Sequence, residues 1–110
     1  MLLSEKVRVE VFIPDLPDPS YSSLLRQLES ELSYAFGGCT VLSASGHFRS
    51  KAGFIIPDNI HLLFTDLNLE LQRDSLVIGQ YVERIQSAIH EALTREQSIL
   101  VVAYPVYHAR

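Results

Sequence analysis

Cationic and histidine side chains gather in one short stretch near the middle of the chain. Gly37 and Gly38 lead into CTVLSASGHFRSKAG, which holds His47, Arg49 and Lys51. Arg49 and Lys51 stand beside Gly46 and Gly53, and cations next to exposed backbone amides favour the binding of phosphate or carboxylate groups. The stretch therefore predicts a small-anion site, and the same residues are also typical of a solvated hairpin tip.

The histidines suggest a second kind of chemistry, because neutral imidazole binds zinc and titrates near neutral pH. In a hairpin centred near Phe54, His47 lies opposite His61, within reach across the two strands. A one-residue slip would place them on opposite faces of the sheet. Glu10 and Asp66 join them if the sheet brings these carboxylates close. No third ligand has a motif spacing, which favours two partly exposed strand histidines over a metal pair, and no metal is assigned.

Other catalytic and cofactor signatures are absent from the sequence. The glycines have neither the spacing of a dinucleotide fingerprint nor the lysine-serine or lysine-threonine ending of a P-loop. Cys39 is either a small core residue or, if exposed near cations, a thiolate. No Ser-His-Asp, Cys-His or paired-carboxylate signature is recognisable. No cofactor is therefore assigned.

The composition is that of an ordinary globular chain. The 110 residues predict one domain, residues 1–110, with 47% hydrophobic and 20% charged residues. A net charge of -4 disfavours nucleic acid as a partner. One cysteine and the lack of a long apolar run predict a soluble cytoplasmic protein without a signal peptide or membrane span.

Hydrophobic periodicity predicts the elements that position these residues. In chain order they are a strand over Lys6–Ile13, a helix from Asp18 or Pro19 to the Gly37-Gly38 stop, a strand over Cys39–Ser50, a connection over Lys51–Asn59, a strand over Ile60–Leu69, a helix from Gln72–Ser75 to about Gln97, and a strand over Ser98–Tyr107. The βαββαβ order predicts an α+β, ferredoxin-like sandwich, in which one four-stranded antiparallel sheet has both helices on one face. Strands one and three are expected at its centre, with Pro105 at an edge or a bulge.

One face of such a sheet is left without helices, and we call it the open face. If the valines of strand one pack under the helices, the open face receives, from strands one to four, Arg8, Glu10 and Phe12; Ser43, Ser45, His47 and Arg49; His61, Leu63 and Thr65; and Val102 or Tyr104. Its apolar members form a strip of the kind that marks interfaces. The strip predicts a homo-oligomer, with a dimer favoured, formed through the open face.

The segment GGCTVLSASGHFRSKAG and the later strand ending in YPV resemble the second-strand region and last strand of PII-like signalling proteins. That resemblance implies trimers that bind nucleotides or other small effectors between subunits. Two features depart from it, since the connection over Lys51–Asn59 is short and TREQS replaces a basic glycine-rich phosphate loop. The chain more closely resembles small ferredoxin-like proteins of cyanobacteria, and that likeness implies no functional residues.

Two function hypotheses follow. The first is a non-enzymatic oligomeric module that binds a small anionic ligand or a protein partner. The second is a small enzyme of the dimeric α+β barrel type, in which His47, His61 or Glu10 acts as acid or base. RNA binding through the open face is a third reading, which the acidic net charge opposes.

Overall fold

The computed structural model describes residues 2–93 and 99–110. Its elements, in chain order, are β1 (Leu3–Pro14), α1 (Pro19–Phe36), β2 (Thr40–Arg49), β3 (Ile55–Leu67), α2 (Ser75–Ala92) and β4 (Leu100–Ala109). The strands form one antiparallel sheet in the order β2-β3-β1-β4. The predicted α+β, ferredoxin-like arrangement is confirmed, with β1 and β3 at the centre of the sheet.

The core lies between the sheet and the two helices. The alternation of β1 buries four of its side chains almost completely: Val7, Val9, Val11 and Ile13. They pack in one cluster with the apolar stripes of both helices, which include Leu24 and Leu28 of α1 and Ile78, Ile85 and Ile89 of α2. The two-residue apolar repeat of the strand and the 3.6-residue repeat of the helices therefore place their apolar side chains in one core layer.

The predicted caps of α1 are confirmed. The Asp18 side chain accepts a hydrogen bond from the Ser20 amide at 2.9 Å, with Pro19 in the first turn. At the other end Gly37 adopts φ 84° and its amide donates to the Ser33 carbonyl at 2.9 Å. A residue without Cβ reaches this left-handed conformation at little cost, so Gly37 ends the helix.

The last two elements differ from the prediction at their bounds. Helix α2 ends at Ala92, because Leu93 turns to an extended conformation, and the predicted continuation over 94–97 lies outside the described residues. Ser98, the predicted start of the last strand, lies outside them too. Strand β4 runs to Ala109, two residues past the predicted end at Tyr107.

The β2–β3 hairpin is longer than predicted, because its turn is shorter. The Ser50 amide donates to the Phe54 carbonyl at 2.8 Å, and Gly53 supplies the left-handed residue at φ 87°. The turn signal Pro57-Asp58-Asn59 therefore lies inside β3, where the sequence predicted a connection up to Asn59. Strand β1 stops at Pro14 and does not reach the position beside Pro57, so the missing proline amide removes no ladder bond.

The predicted faces of β2 and β3 are wrong. Leu63 pairs with Val11 on one side and Val41 on the other, and directly opposed residues in antiparallel strands point to the same face. The side facing the helices therefore holds the residues that were expected on the open face, namely Ser43, Ser45, His47, Arg49, His61, Leu63 and Thr65. The nearly unbroken apolar run of β3 gives no period-two signal that could decide its face.

Candidate functional site

The two histidines singled out from the sequence are not opposite each other. His47 pairs with Pro57, and His61 pairs with Ser43. Pro57 and His61 are four positions apart in β3, which puts the two histidines roughly 13 Å apart along the strands. The expected His47–His61 register is therefore wrong, because the hairpin turns at Ser50–Phe54.

His61 instead lies beside an acidic loop residue at the end of β1. Its Nε2 is 3.5 Å from Oδ1 of Asp15. In the part of the chain that the structure describes, no three histidine, cysteine, aspartate or glutamate side chains are grouped as metal ligands. The arrangement around His61 is one ion pair that forms when the imidazole is protonated.

Arg49 and Lys51 mark the distal end of the hairpin. Arg49 opposes Ile55 on the helix side of the sheet, beyond the cover of the helices, and Lys51 lies in the turn. Gly46 is on the other face, where it pairs with Asp58. Arg49 and Gly46 thus lie on opposite faces of the sheet, and Lys51 shares the turn with Gly53.

Cys39 lies just before β2 and packs against the core. Its sulfur is 3.7 Å from the Glu29 carbonyl and 3.5 Å from the Ser33 hydroxyl. This position agrees with the reading of a small core residue.

The open face carries a polar network that the sequence did not reveal. Arg8 makes two hydrogen bonds to the Asp66 carboxylate, Nε to Oδ1 at 2.7 Å and Nη2 to Oδ2 at 3.0 Å. The guanidinium carbon also lies 4.3 Å from the ring centroid of Phe64, a cation–π contact. His108 Nε2 lies 2.7 Å from Oδ2 of the same Asp66.

These contacts shift the acid–base behaviour of the pair. The hydrogen bond from Arg8 is the main reason that the pKa of Asp66 lies below its ordinary value, and the hydrogen bond from His108 lowers it further. The pKa of Arg8 is raised, chiefly by the same hydrogen bond. Both groups therefore stay charged at neutral pH and hold each other in place.

Glu10 belongs to the open face, as predicted, but it is not free. Its side chain is only 8% exposed, and the Tyr104 hydroxyl donates a hydrogen bond to Oε1. This bond is the main reason that the pKa of Tyr104 is raised. The register of β1 with β4, which places Glu10 beside Val102 and Arg8 beside Tyr104, also confirms these two β4 residues on the open face.

We call this end of the open face the ionic half, comprising Lys6, Arg8, Glu10, Asp66, Asn68, Tyr104 and His108. Lys6 completes it with a hydrogen bond from Nζ to Oδ1 of Asn68 at 2.6 Å. Its two basic side chains, Lys6 and Arg8, equal its two carboxylic side chains, Glu10 and Asp66, in number. A ligand of either sign would have to break existing pairs.

The other end of the open face is apolar. We call it the apolar half, and the strand registers assign to it Phe12, Leu42, Phe48, Ile56, Ile60, Leu62 and Leu100. Leu42, Phe48 and Leu100 expose 48%, 50% and 55% of their surface. Leu63, which the sequence predicted on the open face, lies in the core, and its neighbour Leu62 is on the open face.

One concavity in the described part of the chain is a groove between the two helices. Its lining includes Arg84, but also Glu31, Glu83 and Glu91. The surplus of carboxylates makes it a poor site for an anion. In the described ranges no helix is long and apolar enough to span a membrane.

These observations define the protein as an α+β, ferredoxin-like domain whose open face has an ionic half and an apolar half. No protein-family model and no curated protein sequence matches the chain. The likeness to PII-like proteins that these findings support is the βαββαβ order alone.

Proposed function

We propose that the protein is a non-enzymatic module that associates with a second copy of itself through the open face. The observation that supports this most strongly is the apolar half, whose members include a row across the four strands: Leu42, Leu62, Phe12 and Leu100. Leu42 and Leu100, at the two edges of the sheet, are exposed. Contiguous apolar patches on soluble proteins commonly mark interaction surfaces. A second copy brings the same patch, so the apolar halves of both chains lose contact with water together.

The size of the face is adequate for a dimer. Four strands spaced about 4.8 Å apart, each about ten residues long at roughly 3.3 Å per residue, give a projected face of about 600 Å². Because side chains protrude from the sheet, the accessible area of the face is larger than this projected area. A stable interface typically buries about 800 Å² on each partner, so the face and its hairpin extension are in the required range.

The ionic half also favours a protein over a small anion. Arg8 is engaged by Asp66 and shielded by Phe64, so an anionic ligand would compete with a carboxylate already in place. Covering paired charges completely would cost desolvation free energy, which a solvent-accessible rim avoids. This half suits the rim of an interface.

The enzyme hypothesis has less support from the geometry. His47 and His61 point to the helix side of the sheet, away from the cavity that two open faces would enclose. Glu10, on the open face, accepts the hydrogen bond from Tyr104. An acid or base needs to reach a substrate proton within about 3 Å, and these groups do not converge on one point.

Sedimentation velocity over a range of concentrations tests the proposal with two matched variants. Leu100→Glu puts a carboxylate in the apolar half, and Leu76→Glu makes the same change at a position on α2 that is 76% exposed. We expect wild type and Leu76→Glu to associate equally, and Leu100→Glu to associate at least tenfold more weakly. Equal association of all three, or a wild-type monomer at millimolar concentration, would refute the proposal.

A further inference from the structure

The outer edge of β2 carries a row of backbone groups that no strand among the described residues pairs with. The closing bond from Ser50 to Phe54 places even-numbered residues of β2 in hydrogen-bonded pairs with β3, since such pairs alternate along an antiparallel ladder. The bond from the Asp15 amide to the Asn59 carbonyl gives the same alternation, because it directs odd-numbered residues of β3 toward β1. The amides and carbonyls of Val41, Ser43, Ser45, His47 and Arg49 therefore point outward.

The opposite edge of the sheet is protected in a way that β2 is not. The bond from the Arg110 amide to the Leu2 carbonyl directs even-numbered residues of β4 toward β1, so odd-numbered ones point outward. Pro105 falls in the outward set and removes a donor from its middle. Strand β2 has no proline and no lysine in its ten residues. Natural proteins usually interrupt or cover a long free edge of this kind.

We propose that β2 pairs antiparallel with β2 of a second copy about a two-fold axis at Ser45. This register engages all five outward residues: Ser45 faces Ser45 of the second copy, Ser43 faces His47, and Val41 faces Arg49. No like charges oppose each other. A shift of the axis to Ser43 or His47 would leave part of the row unpaired.

The side chains on the open face fit the same register. Between the outward pairs, Leu42 meets Phe48 of the second copy, twice because of the symmetry, and Ala44 meets Gly46. These are non-hydrogen-bonded pairs, in which side chains approach most closely. Leu42 and Phe48, each about half exposed in one chain, cover each other across the seam.

The result is one sheet of eight strands with both helix layers on one side and a continuous open face on the other. The axis is perpendicular to the sheet, so the apolar halves of both copies remain available. The edge contact therefore does not depend on association through the open face, and the two contacts can exist together.

Disulfide trapping tests the register, in a Cys39→Ala background that removes the native thiol. In a hydrogen-bonded antiparallel pair the Cα atoms lie about 5.5 Å apart, within the usual range for a disulfide. Ser45→Cys is therefore expected to give a covalent dimer under mild oxidation. Ser43→Cys is the matched control, because it would lie roughly 13 Å from its own copy, too far for the bond. Mixing Ser43→Cys with His47→Cys should give the mixed dimer.

Equal cross-linking of Ser45→Cys and Ser43→Cys, or none by Ser45→Cys, would overturn the proposal. Ser45→Pro is a second test, because it removes an outward amide and leaves the bonds to β3. It should abolish the trapped dimer of Ser43→Cys with His47→Cys while the circular dichroism spectrum is retained, and a persisting dimer would again contradict the register. Adding Leu100→Glu should leave Ser45→Cys trapping unchanged, so failure of the open-face proposal is recognised separately.

Discussion

The Arg8–Asp66 pair offers a prediction whose size can be worked out from the structure. The two side chains expose 28% and 18% of their surface, so the pair lies between a surface ion pair and a buried one. Exposed pairs contribute about 0–1 kcal/mol, and hydrogen bonds to charged groups about 1.5–3 kcal/mol. For this two-bonded geometry we expect a coupling free energy of about 1–1.5 kcal/mol.

A double-mutant cycle with Arg8→Met and Asp66→Asn measures that coupling. Methionine keeps an unbranched stem against Phe64, and asparagine keeps the shape of the carboxylate. Each single variant should lose about 2 kcal/mol of unfolding free energy, because it leaves its partner charged and without its main hydrogen-bonding group. The melting temperature should then fall by about 8 °C in a chain of this size. Lys6→Met, which breaks the exposed bond to Asn68, is the control and should cost less than about 0.5 kcal/mol.

The direction of the Asp66 pKa shift predicts how the stability of the protein changes with pH. Because the folded pKa of Asp66 lies below the unfolded value of about 3.9, its stabilising contribution is complete above that value. The contribution is lost as the pH falls through the folded pKa. Wild type and Asp66→Asn should therefore differ most near pH 7 and converge in strong acid. A coupling below about 0.3 kcal/mol, or a difference that does not change with pH, would refute the reasoning.

Two further predictions concern the open face and the first helix. Tyr104→Phe leaves the buried Glu10 without its hydrogen-bond donor and should lower the unfolding free energy, measured by urea denaturation, by about 1–3 kcal/mol. Tyr107→Phe, which changes an exposed tyrosine, is the control. A similar loss of unfolding free energy in the control would argue against a specific role for Tyr104. The raised pKa of Tyr104 means that its stabilising contribution is present below pH 10 and lost at higher pH, so Tyr104→Phe should remove a late phase from the ultraviolet titration. Gly37→Ala should cost about 1–2 kcal/mol because φ is 84° there, and Gly38→Ala, at a position without positive φ and with open space around it, should cost much less.

The sequence sufficed for the parts of the fold that depend on local pattern. The alternation of Val7, Val9 and Val11 and the stripe through Leu24 and Leu28 each have only one face that can be buried, and both are confirmed. The glycine stop of α1 is equally local. Such signals need no knowledge of distant residues.

The residues of the candidate site on the open face could not be predicted from local sequence pattern in the same way. A turn at Ser50–Phe54, and not a connection up to Asn59, decides which residues of β2 face β3. This difference in the turn separated His47 from His61 along the strands, and the nearly unbroken apolar run of β3 could not decide its face. The contacts that define the ionic half join residues far apart in the chain, such as Arg8 with Asp66 and Glu10 with Tyr104. Their pairing follows from the sheet register, which no local motif specifies.

Association through the open face is tested most directly by methyl NMR spectra recorded during dilution. The account predicts concentration-dependent shifts of the Leu62 and Leu100 methyl groups in the apolar half, and none for Leu76 on the exposed surface of α2. Leu100 lies in β4, at the opposite edge of the sheet from the proposed β2 seam, so its shifts report on the open face itself. Shifts confined to the helix surface, or none at any accessible concentration, would contradict the account.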